Sequence, residues 1–475
     1  MDVGSLLAQL ENADLVRRVA EEERAYWFKH ALTQDAAYMS LLYRTRREIH
    51  QRVAQAYQQL YPNQLDEYVE LLALHYAEAG DPAKTIEYSI KAAEISVRHF
   101  AYVEASMHYA RALDAFKSLP DTDDNRRRRV DTINNYIEFS WGTTVPQENL
   151  KLAAEAEALA FALQNADASQ ENTRRLARVH LMMAAMNLAR NEYKEVLRYT
   201  RQGLEESERL GDERLLITPS AQLGAVLVLQ GHFREAAPYL ERAIALSAQN
   251  PGRWEWSWSV GFLAIAHAMR GQIHLALAEA EGALERVEEI QYHVGVSQSL
   301  AYLLPVLFAQ GDMTRLLETS RRTVELATQN NFHLVAAIGL GFQALAQSQL
   351  GEHQAAEAAM AASREIAARV GGRPMMSDWL AAANAEIQYN LGKFDEVLEL
   401  AKQVVAAAHA SGGKFAEAWA ERVWGQALVR LRPSDRVEAE IHLKKSLDAF
   451  QECDAVFEVA RTQRILEQVK AACGD

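Results

Sequence analysis

Eight tryptophans occur in this chain of 475 residues, and three of them, Trp258, Trp379 and Trp419, stand at the same point of a recurring stride, thirteen residues ahead of a turn. Indoles in register along one face are anchor chemistry, because each buries a large, rigid area when a peptide or small ligand lies across it. Ten residues ahead of the same turns stand Leu181, Ala221, Gly261, Ala301, Gly341, Ala382 and Arg422, mostly small side chains that would leave depth for an occupant. Met269, Phe308 and Tyr389 add apolar lining, while Glu386, Arg422 and Arg430 supply charges that would set an occupant's direction. The candidate groove runs over residues 255–430, and its occupant is expected to be an extended or helical peptide or a small ligand. The competing reading is that long helices bury these tryptophans between repeats.

Bond-making chemistry has no comparable set. His-Glu-x-x-His, Cys-x-x-Cys, Gly-x-Ser-x-Gly and a glycine-rich dinucleotide turn are all absent, and the 14 histidines are scattered without ligand spacing. Gly412-Gly413-Lys414-Phe415 is no phosphate loop, since Ala408 stands where the first glycine belongs and no hydroxyl follows the lysine. The expectation is a chain with no catalytic residue, no metal site and no cofactor of its own. Cys453 and Cys473 are too few for a disulfide framework or a four-cysteine zinc site and fit a reducing compartment. A net charge of −14 disfavours broad polyanion binding, and no run of 18 apolar residues suggests a membrane span. The chain reads as cytoplasmic.

The elements that would position the groove follow from a forty-residue ruler. Asn191-Glu192-Tyr193, Gly231-His232-Phe233, Gly271-Gln272-Ile273, Gly311-Asp312-Met313, Gly351-Glu352-His353 and Gly392-Lys393-Phe394 recur at spacings of 40, 40, 40, 40 and 41, with a less regular turn near Arg432-Pro433-Ser434. Apolar residues at helical spacing flank each turn, so each stride predicts two helices. The glycine marks a reversal that needs a left-handed backbone. Five residues beyond it a small or aliphatic residue recurs (Val196, Ala236, Ala276, Leu316, Ala356, Val397), which predicts close approach of the paired helices.

This constellation resembles the tetratricopeptide repeat, including its Leu-Gly pair at Leu223-Gly224 and variants at Leu263-Ala264 and Trp424-Gly425. The period departs from the usual ~34 residues, and helices of about 18 residues would absorb the difference. HEAT-type repeats share the longer period but not the Gly-x-aromatic turn. The expected fold is all-α, a tetratricopeptide-like right-handed superhelix of period about 40. Regular repeats are expected over 171–475 and irregular helical repeats over 61–170, with one helix pair around Gly80-Asp81-Pro82 and further helices near 101–118, 126–141 and 147–164. Pro219, Pro238 and Pro305 are expected inside helices, bending them.

Residues 1–60 differ, carrying 8 Lys+Arg and 8 Asp+Glu, so all the net charge lies beyond them. Leu15–Val19 and Ala25–Lys29 flank Glu21-Glu22-Glu23-Arg24 and predict a β-hairpin, preceded by a short helix (2–12) and followed by two more. Leu42, Ile49, Val53, Ala56 and Leu60 fall on one face of the last. Together these elements suggest a partial winged helix. Phe28-Lys29-His30-Ala31-Leu32-Thr33-Gln34-Asp35-Ala36-Ala37-Tyr38, with Leu41-Leu42, Arg46-Arg47-Glu48-Ile49-His50 and Val53-Ala54, resembles the junction in bacterial STAND signal-transduction ATPases, including those fused to adenylate or guanylate cyclase domains. The likeness covers roughly residues 1–118.

The resemblance implies a sensor and interaction arm, the C-terminal portion of a regulator whose ATPase or cyclase domains lie upstream in cis or act in trans. Nucleotide would enter only through such a part, with His30 as a remnant of its diphosphate-sensing site. The implied partner is a protein or peptide, or a small-molecule effector, with no membrane. A free-standing adaptor is the alternative within the same class. A DNA-binding regulator would use the basic face of Arg44, Arg46, Arg47, His50 and Arg52, although nucleic acid is the less expected partner. The run Arg126–Arg129 is read as neutralised locally by Asp121, Asp123, Asp124 and Asp131.

Overall fold

A computed structural model describes residues 3–19, 26–140, 146–249, 254–371, 373–432 and 436–471. The chain divides into two units, Met1–Pro120 and Asp121–Asp475. No described helix is long and apolar enough to cross a membrane.

The first unit begins with α1 (Val3–Asn12) and a hairpin of β1 (Val16–Arg18) and β2 (Tyr26–Phe28). The strands are antiparallel, with Val16 opposite Phe28 and Arg18 opposite Tyr26. Of the connecting turn, Glu21–Arg24 lie outside the described residues. Then come α2 (Ala31–Ser40), α3 (Tyr43–Leu60), α4 (Val69–Ala79), α5 (Pro82–Arg98) and α6 (Tyr102–Phe116). Gly80 closes α4 at φ +69, and the Asp81 carboxylate accepts the Lys84 N–H at 3.0 Å to open α5.

The apolar face shared by Leu42, Ile49, Val53, Ala56 and Leu60 is not the face that α3 buries. Leu42 caps the helix and is 78% exposed, and Ile49 and Leu60 are exposed as well. The helix turns Ala54 and Tyr57 onto Val69, Leu72, Ala73 and Tyr76 instead. Of the basic face, Arg44 pairs with Glu48 at 3.0 Å, and Arg47 donates to the carbonyls of Ala79 and Gly80 at 2.7 and 3.0 Å. His50 contacts His75 at 2.8 Å and Tyr38 at 3.0 Å. Arg47 and His50 are thus committed inside the unit.

The second unit opens with α7 (Asp123–Ser140) and α8 (Pro146–Ala166). Arg126 at the start of α7 pairs with Asp121 and Asp123 at 2.7 and 3.1 Å. Hairpins of an inner and an outer helix follow: α9 (Gln170–Ala189) with α10 (Tyr193–Leu210), α11 (Ile217–Gln230) with α12 (Phe233–Ser247), and α13 (Trp254–Met269) with α14 (Ile273–Glu289). Next are α15 (His293–Gln310) with α16 (Met313–Gln329), α17 (His333–Gln349) with α18 (His353–Arg369), and α19 (Ser377–Asn390) with α20 (Phe394–Ser411). The array ends with α21 (Lys414–Leu431), α22 (Arg436–Glu452) and α23 (Val456–Ala471). Of the turn between α21 and α22, Pro433 and Ser434 lie outside the described residues, as does Cys473.

The ruler places every described hairpin turn. Asn191, Gly231, Gly271, Gly311, Gly351 and Gly392 all have positive φ, from +61 to +95. Val196, Ala236, Ala276, Leu316, Ala356 and Val397 are each fully buried where the paired helices meet. Pro238 and Pro305 lie inside α12 and α15. Pro219 is a correction: it falls in the first turn of α11, where its missing N–H had no intrahelical partner to lose. The second unit is an all-α, tetratricopeptide-like superhelix.

That coil comes back onto itself. Met375 donates its backbone N–H to Ala189 O at 3.1 Å, and the Asn191 amide donates to Asp378, 187 residues on, at 2.8 Å. Ser411 and Arg373 also donate to Asp378, at 2.7 and 3.1 Å. Arg270, in the third hairpin turn, donates to Asp454, 184 residues on, at 2.8 Å, joined by Arg234 at 3.0 Å. The hairpin turns of early repeats therefore seat against the leading ends of later inner helices.

Candidate functional site on the inner helices

The inner helices are buried on nearly every side, because each meets its own outer helix and neighbouring hairpins, and α9, α11 and α13 also meet the later coil. In α13 and α15, 14 and 15 residues are buried. This surrounds the expected groove residues with protein. Trp258, Met269, Phe308, Trp379, Glu386, Trp419 and Arg422 are all buried, Tyr389 is half-buried and Arg430 is exposed.

Four of them converge. Phe308 stacks on Trp419 with ring centroids 5.3 Å apart and planes 16° from parallel. The Trp419 indole donates to Glu386 Oε2 at 2.5 Å, and Arg422 donates to the same oxygen at 3.2 Å. Three further residues complete the cluster. Gln349 and Arg461 donate to Glu386 Oε1 at 2.8 and 2.6 Å, and Arg422 donates to Glu458. Burial alone would raise the Glu386 pKa, but the Arg461 and Arg422 guanidiniums outweigh it and hold this carboxyl at about 2. Two carboxylates and two guanidiniums thus sit together, paired crosswise, with Arg422 fully buried.

Trp379 belongs to an adjoining aromatic cluster. Its indole donates to Leu229 O at 3.1 Å, and its ring lies 4.4 Å from Phe415 and 6.5 Å from Phe233. Phe415 lies 6.2 Å from Trp419, which joins the two clusters. Trp258 is apart, against Trp254, Phe262 and Tyr302 at 5.6, 5.2 and 6.2 Å. Tyr389 faces Phe394 at 5.4 Å and hydrogen-bonds Arg430, which raises the Arg430 pKa. His30 is exposed at the start of α2 and its side chain makes no capping bond.

The depth expected from the small residues is taken up by the next repeat. A β-carbon on Gly261 would fall 2.2 Å from the Tyr302 ring, and one on Gly341 would fall 2.4 Å from Leu380. The glycines are sockets for side chains about one stride on. Open volume lies elsewhere, in a cleft of roughly 680 Å³ between α20, α21 and α22, with Lys402, Lys414, Trp424, His442 and Lys445 on its walls. His442 stacks on Trp424 with centroids 4.1 Å apart and pairs with Glu421. Among the described residues, no group of three His, Cys, Asp or Glu side chains is placed to hold a metal ion.

Gln349, Glu458 and Arg461 escaped the sequence reading. The signal was present in part, since one stride past Arg422 the ruler reaches residues 461–462.

No protein-family model matches the chain, and no curated protein does. Among solved structures, that of Rap protein complexed with competence and sporulation factor superposes with a TM-score of 0.56 at 12% identity, over 82% of this chain and 98% of that one. Aspartyl phosphate phosphatase F from Bacillus subtilis gives 0.46 at 10% identity, over 77% and 94%. Yeast Tom70 gives 0.37 at 12% identity, over 92% and 96%. The Rap likeness agrees with the tetratricopeptide-like superhelix, and identity at this level speaks to fold alone.

Proposed function

We propose that the chain is a non-catalytic sensor and protein-interaction scaffold, the tetratricopeptide arm of a STAND-type regulatory ATPase. The observation that carries this reading is an apolar surface. Of the 25 exposed large apolar side chains among the described residues, 15 lie between Val3 and Tyr61, and only Val16 and Ala54 are buried apolar residues in that stretch. Trp27 is 67% and Leu32 82% exposed. A segment with so little interior and so much apolar exterior is suited to being covered by another protein surface. An ATPase core, in cis or in trans, is the cover that the junction motif implies, and any nucleotide would belong to that part, with His30 exposed on the same segment.

The second unit supplies the sensor. A Rap protein has been crystallised in complex with competence and sporulation factor, and a coil of this type can hold a protein, peptide or small effector. Here the inner face is filled by Phe308, Trp379 and Trp419, so an effector seated there must select a coil opened along the contacts at Asp378 and Asp454. The shift between closed and open coil would be the signal.

The test titrates the full chain into a purified STAND-type ATPase core that lacks its own repeats, with calorimetric readout. Binding is expected, and Trp27→Glu with Leu32→Glu should weaken it at least tenfold without changing the melting temperature. Absence of heat, or equal binding by that double variant, overturns the assignment. A free-standing adaptor would use the same apolar face for a different protein and would ignore the core.

A further inference from the structure

Helix α23 occupies an inner position, yet it is held differently from the other inner helices. Where α13, α15 and α17 bury between 13 and 15 residues each, α23 buries four: Glu458, Thr462, Leu466 and Val469. Of these only Leu466 and Val469 are apolar, and they join Leu443 in a small cluster against which Val429, Leu447 and Ile465 pack. The remaining hold is ionic and reciprocal. Glu458 receives Arg422 from α21, and one turn later Arg461 donates to Glu386 on α19, at 2.6 and 3.5 Å to its two oxygens.

This combination has a physical consequence. Burying two ion pairs gains little over apolar side chains of the same size, because desolvation offsets the attraction, but facing either charge with its like is severely unfavourable. The charges therefore determine which helix fits more than how tightly it is held. With only that small apolar cluster behind them, α23 is the inner helix expected to open at least cost. Without α23, the receiving face keeps a neutral couple, Glu386 with Arg422, still backed by Trp419 and Gln349. The helix likewise carries a neutral couple of opposite order.

We propose that the face formed by α19 and α21 is a docking site for a helix bearing an acid and an arginine one turn apart, occupied in the resting protein by α23 and exchangeable for a partner helix of the same pattern. The inference rests on the scaffold reading above and names the chemistry of one partner.

The experiment uses the full chain and a fluorescein-labelled synthetic helix with the sequence of residues 456–471, followed by anisotropy. In the chain carrying Glu458→Arg with Arg461→Glu, like charges face Arg422 and Glu386 and expel its own helix. That chain should bind the peptide at least tenfold tighter than the wild type, and it should reject a peptide carrying the same reversal. Adding Glu386→Arg with Arg422→Glu should seat the reversed helix again and abolish binding of the unmodified peptide. If the reversed chain loses its helical circular dichroism, Arg461→Ala replaces it under the same criterion, since Arg422, Trp419 and Gln349 still hold Glu386. Peptide affinity no greater than that of the wild type overturns the proposal. The ATPase-core titration at residues 3–61 is read separately, so either idea can fail alone.

Discussion

Replacing Glu386 by glutamine keeps the shape of the inner cluster and removes one charge, leaving Arg422 and Arg461 to share Glu458. Leaving a buried ion network short of one partner costs about 3–5 kcal/mol. Proton linkage gives an independent magnitude. The carboxyl is held at about 2, below its ordinary value of 4.5, and at about 1.4 kcal/mol per pH unit that gap is on the order of 3 kcal/mol. Because the pKa is depressed, this stability is fully present above about pH 4.5 and is lost as pH falls towards 2. Urea titration of wild type and Glu386→Gln, followed by circular dichroism, should show a gap of about 3 kcal/mol at pH 7 that shrinks to less than about half of that at pH 3. A gap below about 1 kcal/mol at pH 7, or one that does not change between pH 7 and 3, would refute the assignment of a charged, doubly paired Glu386.

Trp379→Ala and Trp419→Ala should each cost about 3–5 kcal/mol and broaden the melting transition, because both indoles are interior; unchanged calorimetric melting would return them to an open groove. Gly261→Ala should destabilise by about 1–3 kcal/mol, since its methyl meets the Tyr302 ring. Gly282→Ala, with nothing within 4 Å in the middle of α14, should stabilise by up to about 1 kcal/mol, both being read as shifts in melting temperature. Asp378→Ala strands Asn191, Ser411 and Arg373 and should speed amide exchange at 189–191 and 375–378; unaltered exchange there would show that the coil closes by other means.

The stride was legible because the turn glycines need a backbone conformation that other residues avoid, and that need leaves a fixed mark in the sequence. A second set of left-handed turns, Gln291, Asn331, Gly371, Gly412 and Asp454, has nearly the same stride, with Gly211 two strides ahead of it, but escaped notice because mixed residue types fill it. The hairpin near residues 16–28 was read from alternation and turn chemistry and is present. The face that α3 buries was not legible, because Leu42 and Leu60 are apolar without facing the unit's own interior. At the inner face the stride singled out Trp379, Trp419 and Arg422, with Glu386 beside them, but left an open groove and burial between repeats as alternatives, since periodicity is blind to contacts 150 or more residues apart such as Trp379 with Leu229. Gly261 and Gly341 were taken for depth because the side chains that fill them come from the neighbouring repeat, about one stride on.

Open helical arrays are coupled between nearest neighbours and tolerate gain or loss of whole units. This coil adds a long-distance vernier, in which Asn191 meets Asp378 and Arg270 meets Asp454 at nearly equal separations of 187 and 184 residues. Excising a single stride between them would offset all such partners together by one hairpin. Such a coil can lengthen or shorten in evolution at its ends far more readily than in its middle.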